Sequence, residues 1–175
     1  LLLGSRATEA TAIAAAVGSL KGPKHGGASL RVSEMIRDMK QQIGHAPDDG
    51  AIKAYLEKLM DRAVFDRAGL IYGMGHAVYT LSDPRARLLK AKAKELAETK
   101  GTLDEFLLYD AVERLAPDVF HDKKGTRAPL CANVDLYSGL VYSMLDIPYS
   151  LHTPIFAVSR IAGWCAHRIE EIVGA

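Results

Sequence analysis

The 175-residue sequence carries 22 Lys+Arg against 21 Asp+Glu, a formal charge of +1, and is 49% hydrophobic. Such a chain makes one ordinary globular unit, or two small ones sharing a core. It is neither disordered nor membrane-spanning, since no apolar run approaches the roughly 18 residues that a spanning helix needs. A near-neutral balance leaves no basic face for nucleic acid, so any phosphate site has to be local. Cys131 and Cys165 stand far apart without metal-spaced partners, which argues against a disulfide framework or structural zinc and for a reducing, cytoplasmic setting. Leu1–Arg6 lack an initiator Met and the pattern of a secretory leader, and are read as the cut end of a longer chain.

Taken in chain order, Thr8–Leu20 is Ala/Ile/Val-rich and predicts a buried helix ending at Gly22-Pro23. After Lys24-His25-Gly26-Gly27, residues Leu30, Met35, Ile36, Met39 and Ile43 recur at helical spacing up to Gly44. Asp48-Asp49 can cap a third helix whose apolar face is Ile52, Leu56, Leu59, Met60, Ala63 and Val64. Leu70–Ser82 has no clean period and reads as a loop. Asp83-Pro84 then marks a helix start, Asp as N-cap and Pro at the first helical position, with the helix reaching about Lys100. Thr102-Leu103-Asp104-Glu105 has capping-box spacing ahead of Phe106, Leu107, Ala111 and Leu115, and polar Asp118–Pro129 reads as a loop. Val134–Leu145 and about Thr153–Val173 are two further helices, broken at Ile147-Pro148. No period-2 segment long enough for a sheet is present, so the expected fold is all-α.

Three polar spots fall where an all-helical fold does not require them. In Gly22-Pro23-Lys24-His25-Gly26-Gly27 a His sits between glycines at a helix start, where it either donates to a developing oxyanion or only caps a turn. In Gly73-Met74-Gly75-His76-Ala77-Val78-Tyr79 a second His follows flexible backbone, and Arg85 in Asp83-Pro84-Arg85 offers a planar fork for a carboxylate; the alternative is a loop His and a solvated Arg. In Asn133-Val134-Asp135-Leu136-Tyr137-Ser138-Gly139, Asp135 is either a first-turn Asp favoured by the helix dipole or a base kept partly desolvated by apolar neighbours.

Lesser features carry less. Lys90, Lys92, Lys94 and Lys100 with Arg85 and Arg87 make a basic helix, ordinarily a solvated face. His45, His121, His152 and His167 lack metal-ligand spacing, and Trp164 and Cys165 suit helix packing, so no metal site is expected.

Together, His25 in Gly-Pro-Lys-His-Gly-Gly, His76 in Gly-x-Gly-His-x-Val with Asp-Pro-Arg downstream, and Asp135 in Asn-Val-Asp-x-Tyr-Ser-Gly resemble the citrate synthase family in order and spacing. The resemblance extends through Phe156-Ala157-Val158-Ser159-Arg160 and Gly163-Trp164 but covers only about the C-terminal half of a typical member. It implies an all-α homodimeric enzyme. Residues 26–139 would be its small, acyl-CoA-binding domain, with 1–25 and 140–175 as parts of the large domain. The small domain closes over oxaloacetate and shuts out water.

By the same resemblance, Asp135 is the base that takes a methyl proton from acetyl-CoA, and His25 stabilises the enol at the thioester oxygen. His76 binds the oxaloacetate carbonyl and returns a proton, Arg85 and Arg160 hold the carboxylates, and Gly73, Gly75, Ala77 and Asn133 lie on the acyl-CoA side. Neither a metal nor a permanently bound cofactor is implied; acetyl-CoA is a cosubstrate. Three positions depart from the family pattern: Met74, where an aromatic or small residue is usual; Thr80, in place of a basic residue; and Ala132, in place of Pro. Lys123, Lys124 and Arg127 are candidates to replace the missing charge toward CoA phosphates. The family's upstream substrate His and an arginine from the partner have no counterpart, so the 175 residues alone are expected to be inactive. Alternatives are 2-methylcitrate synthase acting on propionyl-CoA, a citryl-CoA lyase module, and a catalytically silent helical dimerisation or regulatory module.

Overall fold

The computed structural model describes residues 8–20 and 27–174. These form seven helices: α1 (Glu9–Leu20), α2 (Ala28–Ile43), α3 (Asp49–Met60), α4 (Pro84–Lys100), α5 (Leu103–Lys124), α6 (Val134–Met144) and α7 (Tyr149–Gly174). Among the described residues the only β-type pairing is the isolated bridge Met74–Ala132, and the fold is all-α. No helix among them is long and apolar enough to cross a membrane.

The chain divides into two compact units. In one, α1 packs on α7. The other, Ala28–Ile147, holds α2 to α6 around a single apolar core. Its centre is α6, where Leu136, Tyr137 and Leu140 are buried between α2 and α4. Facing them, α2 contributes Val32, Met35, Ile36 and Met39, spaced as one helical stripe. The buried residues of α4 are all alanines, Ala86, Ala93 and Ala97, which let its backbone approach α6 closely. Gly139 permits the second close crossing: a Cβ there would lie 2.8 Å from Ser33 Oγ and 3.0 Å from the Ser29 carbonyl of α2. The boundary expected at Gly139 falls inside α6, and all of that helix belongs to Ala28–Ile147.

Three helix starts are capped, those at Asp48 and Asp83 as the sequence predicts and that at Asn133 as the structure adds. Asp48 Oδ1 accepts from Ala51 N–H at 2.7 Å, Asp83 Oδ1 from Arg85 N–H at 2.9 Å and Asn133 Oδ1 from Asp135 N–H at 3.0 Å. The capping box at Thr102 does not form. The Thr102 side chain makes no cap bond but points its hydroxyl to Met144 Sδ, while Glu105 pairs with Lys40 of α2.

Three helix readings are corrected. Asp118–Lys124 is not loop but the last two turns of α5, which continues through Pro117. Its polar residues are the solvent face of a helix whose other side buries Ala116 and Val119, and its basic last turn suits the helix dipole before Gly125 ends it. Leu107, assigned to the apolar face, is 50% exposed; Leu108, Tyr109 and Val112 are buried instead. The face of α3 stops at Met60, because Asp61 caps the helix and Arg62 turns left-handed at φ 61°, leaving Ala63 and Val64 outside it.

Candidate active site

The site is assembled where two loops meet. Gly75 N–H donates to the Cys131 carbonyl at 2.7 Å, Asn133 N–H to the Gly73 carbonyl at 2.9 Å, and Asn133 Nδ2 to the Gly75 carbonyl at 2.9 Å. This zipper joins the segment before His76 to the segment that opens α6. Gly73 makes it possible: its φ is 83°, and a Cβ would stand 2.9 Å from the Cα and Cβ of Leu136. Gly73, Gly75 and Asn133, expected on the acyl-CoA side, thus also build the frame. Ala77 lies exposed just beyond it.

His76 is held by its own loop. Its Nδ1 accepts the backbone N–H groups of both Val78 and Tyr79 at 2.9 Å. A ring nitrogen that accepts two hydrogen bonds carries no proton, so the neutral ring bears its hydrogen on Nε2. That nitrogen lies 3.1 Å from Arg85 Nη2 and 3.8 Å from Asp83 Oδ2. Arg85 Nη2, which can only donate, is aimed at this same nitrogen, so the Nε2–H and the guanidinium N–H crowd one another unless an acceptor oxygen comes between to take both.

Asp83 was legible only as a helix cap, yet its fully buried carboxylate does more. It receives Arg85 Nε at 3.0 Å on Oδ1 and Arg85 Nη2 at 2.8 Å on Oδ2, which fixes the guanidinium beside His76. Burial alone would raise the Asp83 carboxyl, but the bonds from the Arg85 side chain and backbone outweigh it and hold the group below the usual carboxylate range. The signal in the sequence was the two-residue step from cap to arginine, short enough for one side chain to serve both. It also explains how a cation is tolerated in the first turn of α4.

Asp135 opens α6 within electrostatic reach of Arg85 and Asp83. Burial pushes its carboxyl above the ordinary value; Arg85 pulls it down and the Asp83 carboxylate pushes it further up, with the net shift upward. That is the direction a general base working near neutral pH requires. Ala28–Ile147 therefore brings together His76, Arg85 and Asp135, and adds Asp83.

His25, with Lys24, lies outside the described residues. Arg160 belongs to α7, where its guanidinium stacks 5.3 Å from the Phe156 ring centroid on an exposed face. Of the basic residues considered for CoA phosphates, Lys123 is paired with Asp61 at 2.5 Å. Among the described residues no cluster of His, Cys, Asp or Glu has the makings of a metal site.

The family sequence model "Citrate synthase, C-terminal domain" matches residues 2–174. The chain belongs to the citrate synthase family. It is 37% identical over 161 residues to a citrate synthase of Haloferax volcanii, covering 92% of this chain and 38% of that protein. It is 35% identical over 159 residues to a 2-methylcitrate synthase of Shewanella oneidensis, covering 91% and 37%. Among solved structures, a citrate synthase of Thermoplasma acidophilum in ternary complex with carboxymethyl coenzyme A and oxaloacetate matches with a TM-score of 0.72 at 27% identity, over 98% of this chain and 42% of that one. The chain thus spans less than half the length of these citrate synthase family relatives.

Proposed function

We propose that the chain supplies the acid–base part of a citrate synthase, which condenses acetyl-CoA with oxaloacetate and releases citrate and CoA. The observation that carries this reading is the convergence of His76 Nε2 and Arg85 Nη2, 3.1 Å apart, beside a desolvated Asp135. A methyl next to a thioester is a weak carbon acid. A carboxylate can deprotonate it only where the carboxyl is raised and the developing enolate oxygen is stabilised at the same moment.

In this reading Asp135 takes the methyl proton and His25 donates to the thioester oxygen. The enol carbon attacks the oxaloacetate carbonyl, and His76 passes its Nε2 proton to the oxygen as it becomes an alkoxide. Arg85 and Arg160 hold the carboxylates. Water then cleaves citryl-CoA to citrate and CoA. No permanently bound cofactor is needed, and acetyl-CoA enters as cosubstrate. Ala28–Ile147 corresponds to the small domain and α1 with α7 to part of the large one. The working form is a homodimer of the full-length protein, and the 175 residues alone are inactive.

A second reading, 2-methylcitrate synthase, has the support of the relative of that name at 35% identity. One assay separates the two: thiol release by the full-length protein from acetyl-CoA and from propionyl-CoA, each with and without oxaloacetate. Oxaloacetate-dependent release, faster with acetyl-CoA, is the expected result. Faster release with propionyl-CoA selects the second reading, and no release from either contradicts both.

A further inference from the structure

Behind the site, three helices meet on a half-buried polar chain that the chemistry above does not use. Tyr137 of α6 is fully buried, and its hydroxyl donates to Glu113 Oε2 of α5 at 2.5 Å. The same oxygen receives Lys90 Nζ of α4 at 2.8 Å, and Lys90 also meets Asp110 Oδ1 at 2.5 Å and stands 5.8 Å from the Tyr137 ring centroid. Lys90 is thus not part of a solvated basic face; Lys92 and Lys94, paired with Glu95 and Glu98 on the surface, are.

We infer that Glu113, shared by Lys90 and Tyr137, is the pin that fixes α6 in register with α4 and so aims Asp135 at His76 and Arg85; Glu113, Lys90 and Tyr137 are positioning residues. This rests on the proposed role of Asp135. One feature of the packing calls for such a pin. The fully buried residues of α4 are Ala86, Ala93 and Ala97, and of its larger apolar side chains only Leu89 and Leu96 pack, partly buried, against the core, so few side-chain ridges oppose sliding along α6. One residue of slide is about 1.5 Å, and an error near 1 Å at a reacting centre can cost on the order of a hundredfold in rate. A hydroxyl, a carboxylate and an ammonium, by contrast, satisfy one another in a single arrangement.

The placement along each helix fits this role. Lys90 is five residues past Arg85 on α4, and Tyr137 two past Asp135 on α6. Glu113 also lines a cavity of about 180 Å³ together with Asp83, Cys131 and Ala132, so the pin stands directly behind the loop pair that carries the site.

The test uses the full-length protein and Tyr137→Phe, which removes one oxygen and keeps the ring. The kcat of oxaloacetate-dependent thiol release should fall about tenfold while KM for both substrates stays within about twofold, the split expected when a base is misplaced but binding is intact. Glu113→Gln, which keeps an acceptor for the hydroxyl, should lose less than Glu113→Ala. An unchanged kcat in a Tyr137→Phe protein that merely melts lower overturns the inference. If the wild type releases no thiol, the proposed activity fails instead. Register is then read from hydrogen exchange: faster exchange in the first two turns of α6 of Tyr137→Phe supports the pin, and an unchanged pattern overturns it.

Discussion

In Ala28–Ile147 one core buries apolar residues of all five helices, with Leu88 and Leu107 left exposed, whereas α7 leaves Val158 69%, Ile169 60%, Ile172 50% and Val173 81% exposed. Among the described residues of the α1–α7 unit, the buried ones are Ala12 and His152. The contrast separates the site residues into two groups. His76, Asp83, Arg85 and Asp135 sit at the edge of a packed core, with His76, Asp83 and Arg85 held by hydrogen bonds within their own unit. Arg160 sits on an exposed face of α7, held by a stack on its neighbour one turn back.

The largest expected effect that tests this contrast is on catalysis. Asp135→Ala in the full-length protein should lower oxaloacetate-dependent thiol release by about a thousandfold or more, as loss of a general base does, with oxaloacetate binding nearly unchanged by calorimetry. Turnover like wild type would remove Asp135 from the account. Next comes the frame. Gly73→Ala places a Cβ against Leu136 at a left-handed φ and should cost about 3 kcal/mol of stability in denaturant titrations; a loss below about 1 kcal/mol would mean that the zipper yields easily.

Smaller effects sharpen the contrast within Ala28–Ile147. Asn133→Ala loses a helix cap and a zipper bond and should cost about 1–2 kcal/mol, while Thr102→Ala, where no cap bond exists, should cost less than about 0.5 kcal/mol. Equal losses would show that the cap assignments are wrong. Between the units, hydrogen exchange of this chain should be slowest in α2, α3 and α6 and fastest in α1 and α7; uniform protection would abolish the distinction.

Titration separates two carboxylates with opposite shifts. Asp83 is held below its unfolded value, so its contribution to stability is present above the ordinary carboxylate range and is lost as pH falls through the depressed value. Asp135 is held above it. Its proton is retained into a higher window, stability declines as pH rises through that window, and the rate rises as the base ionises. The acid limb of the pH–rate profile should therefore lie above the ordinary carboxylate range and disappear in Asp135→Ala. A limb at the ordinary value would contradict the desolvated base.

Much of the fold was legible because local signals agreed with the packing. The caps at Asp48 and Asp83 and the core positions Met35, Ile36 and Met39 of α2 read directly, whereas the cap at Asn133 and the buried Val32 did not. The failures came where tertiary contacts overrode a local rule. Glu105 was drawn from its capping box to Lys40, and α5 ran past Pro117 because Val119 had a core to enter. The site motifs marked His76, Arg85 and Asp135, but neither the clamp of Asp83 on Arg85 nor the pin at Glu113 was visible, since each depends on which helices meet. Gly73 and Gly139 have clear reasons only once their neighbours, Leu136 and the α2 backbone, are in place.

The central claim is that the backbone of this unit fixes His76 as an Nε2–H donor facing Arg85. Nitrogen NMR of the histidine ring in ¹⁵N-labelled chain tests it without substrate or assay. The account predicts that in the neutral ring Nδ1 is unprotonated and Nε2 carries the hydrogen. A neutral His76 with its proton on Nδ1 would contradict it, because the amides of Val78 and Tyr79 could not then both donate to that nitrogen.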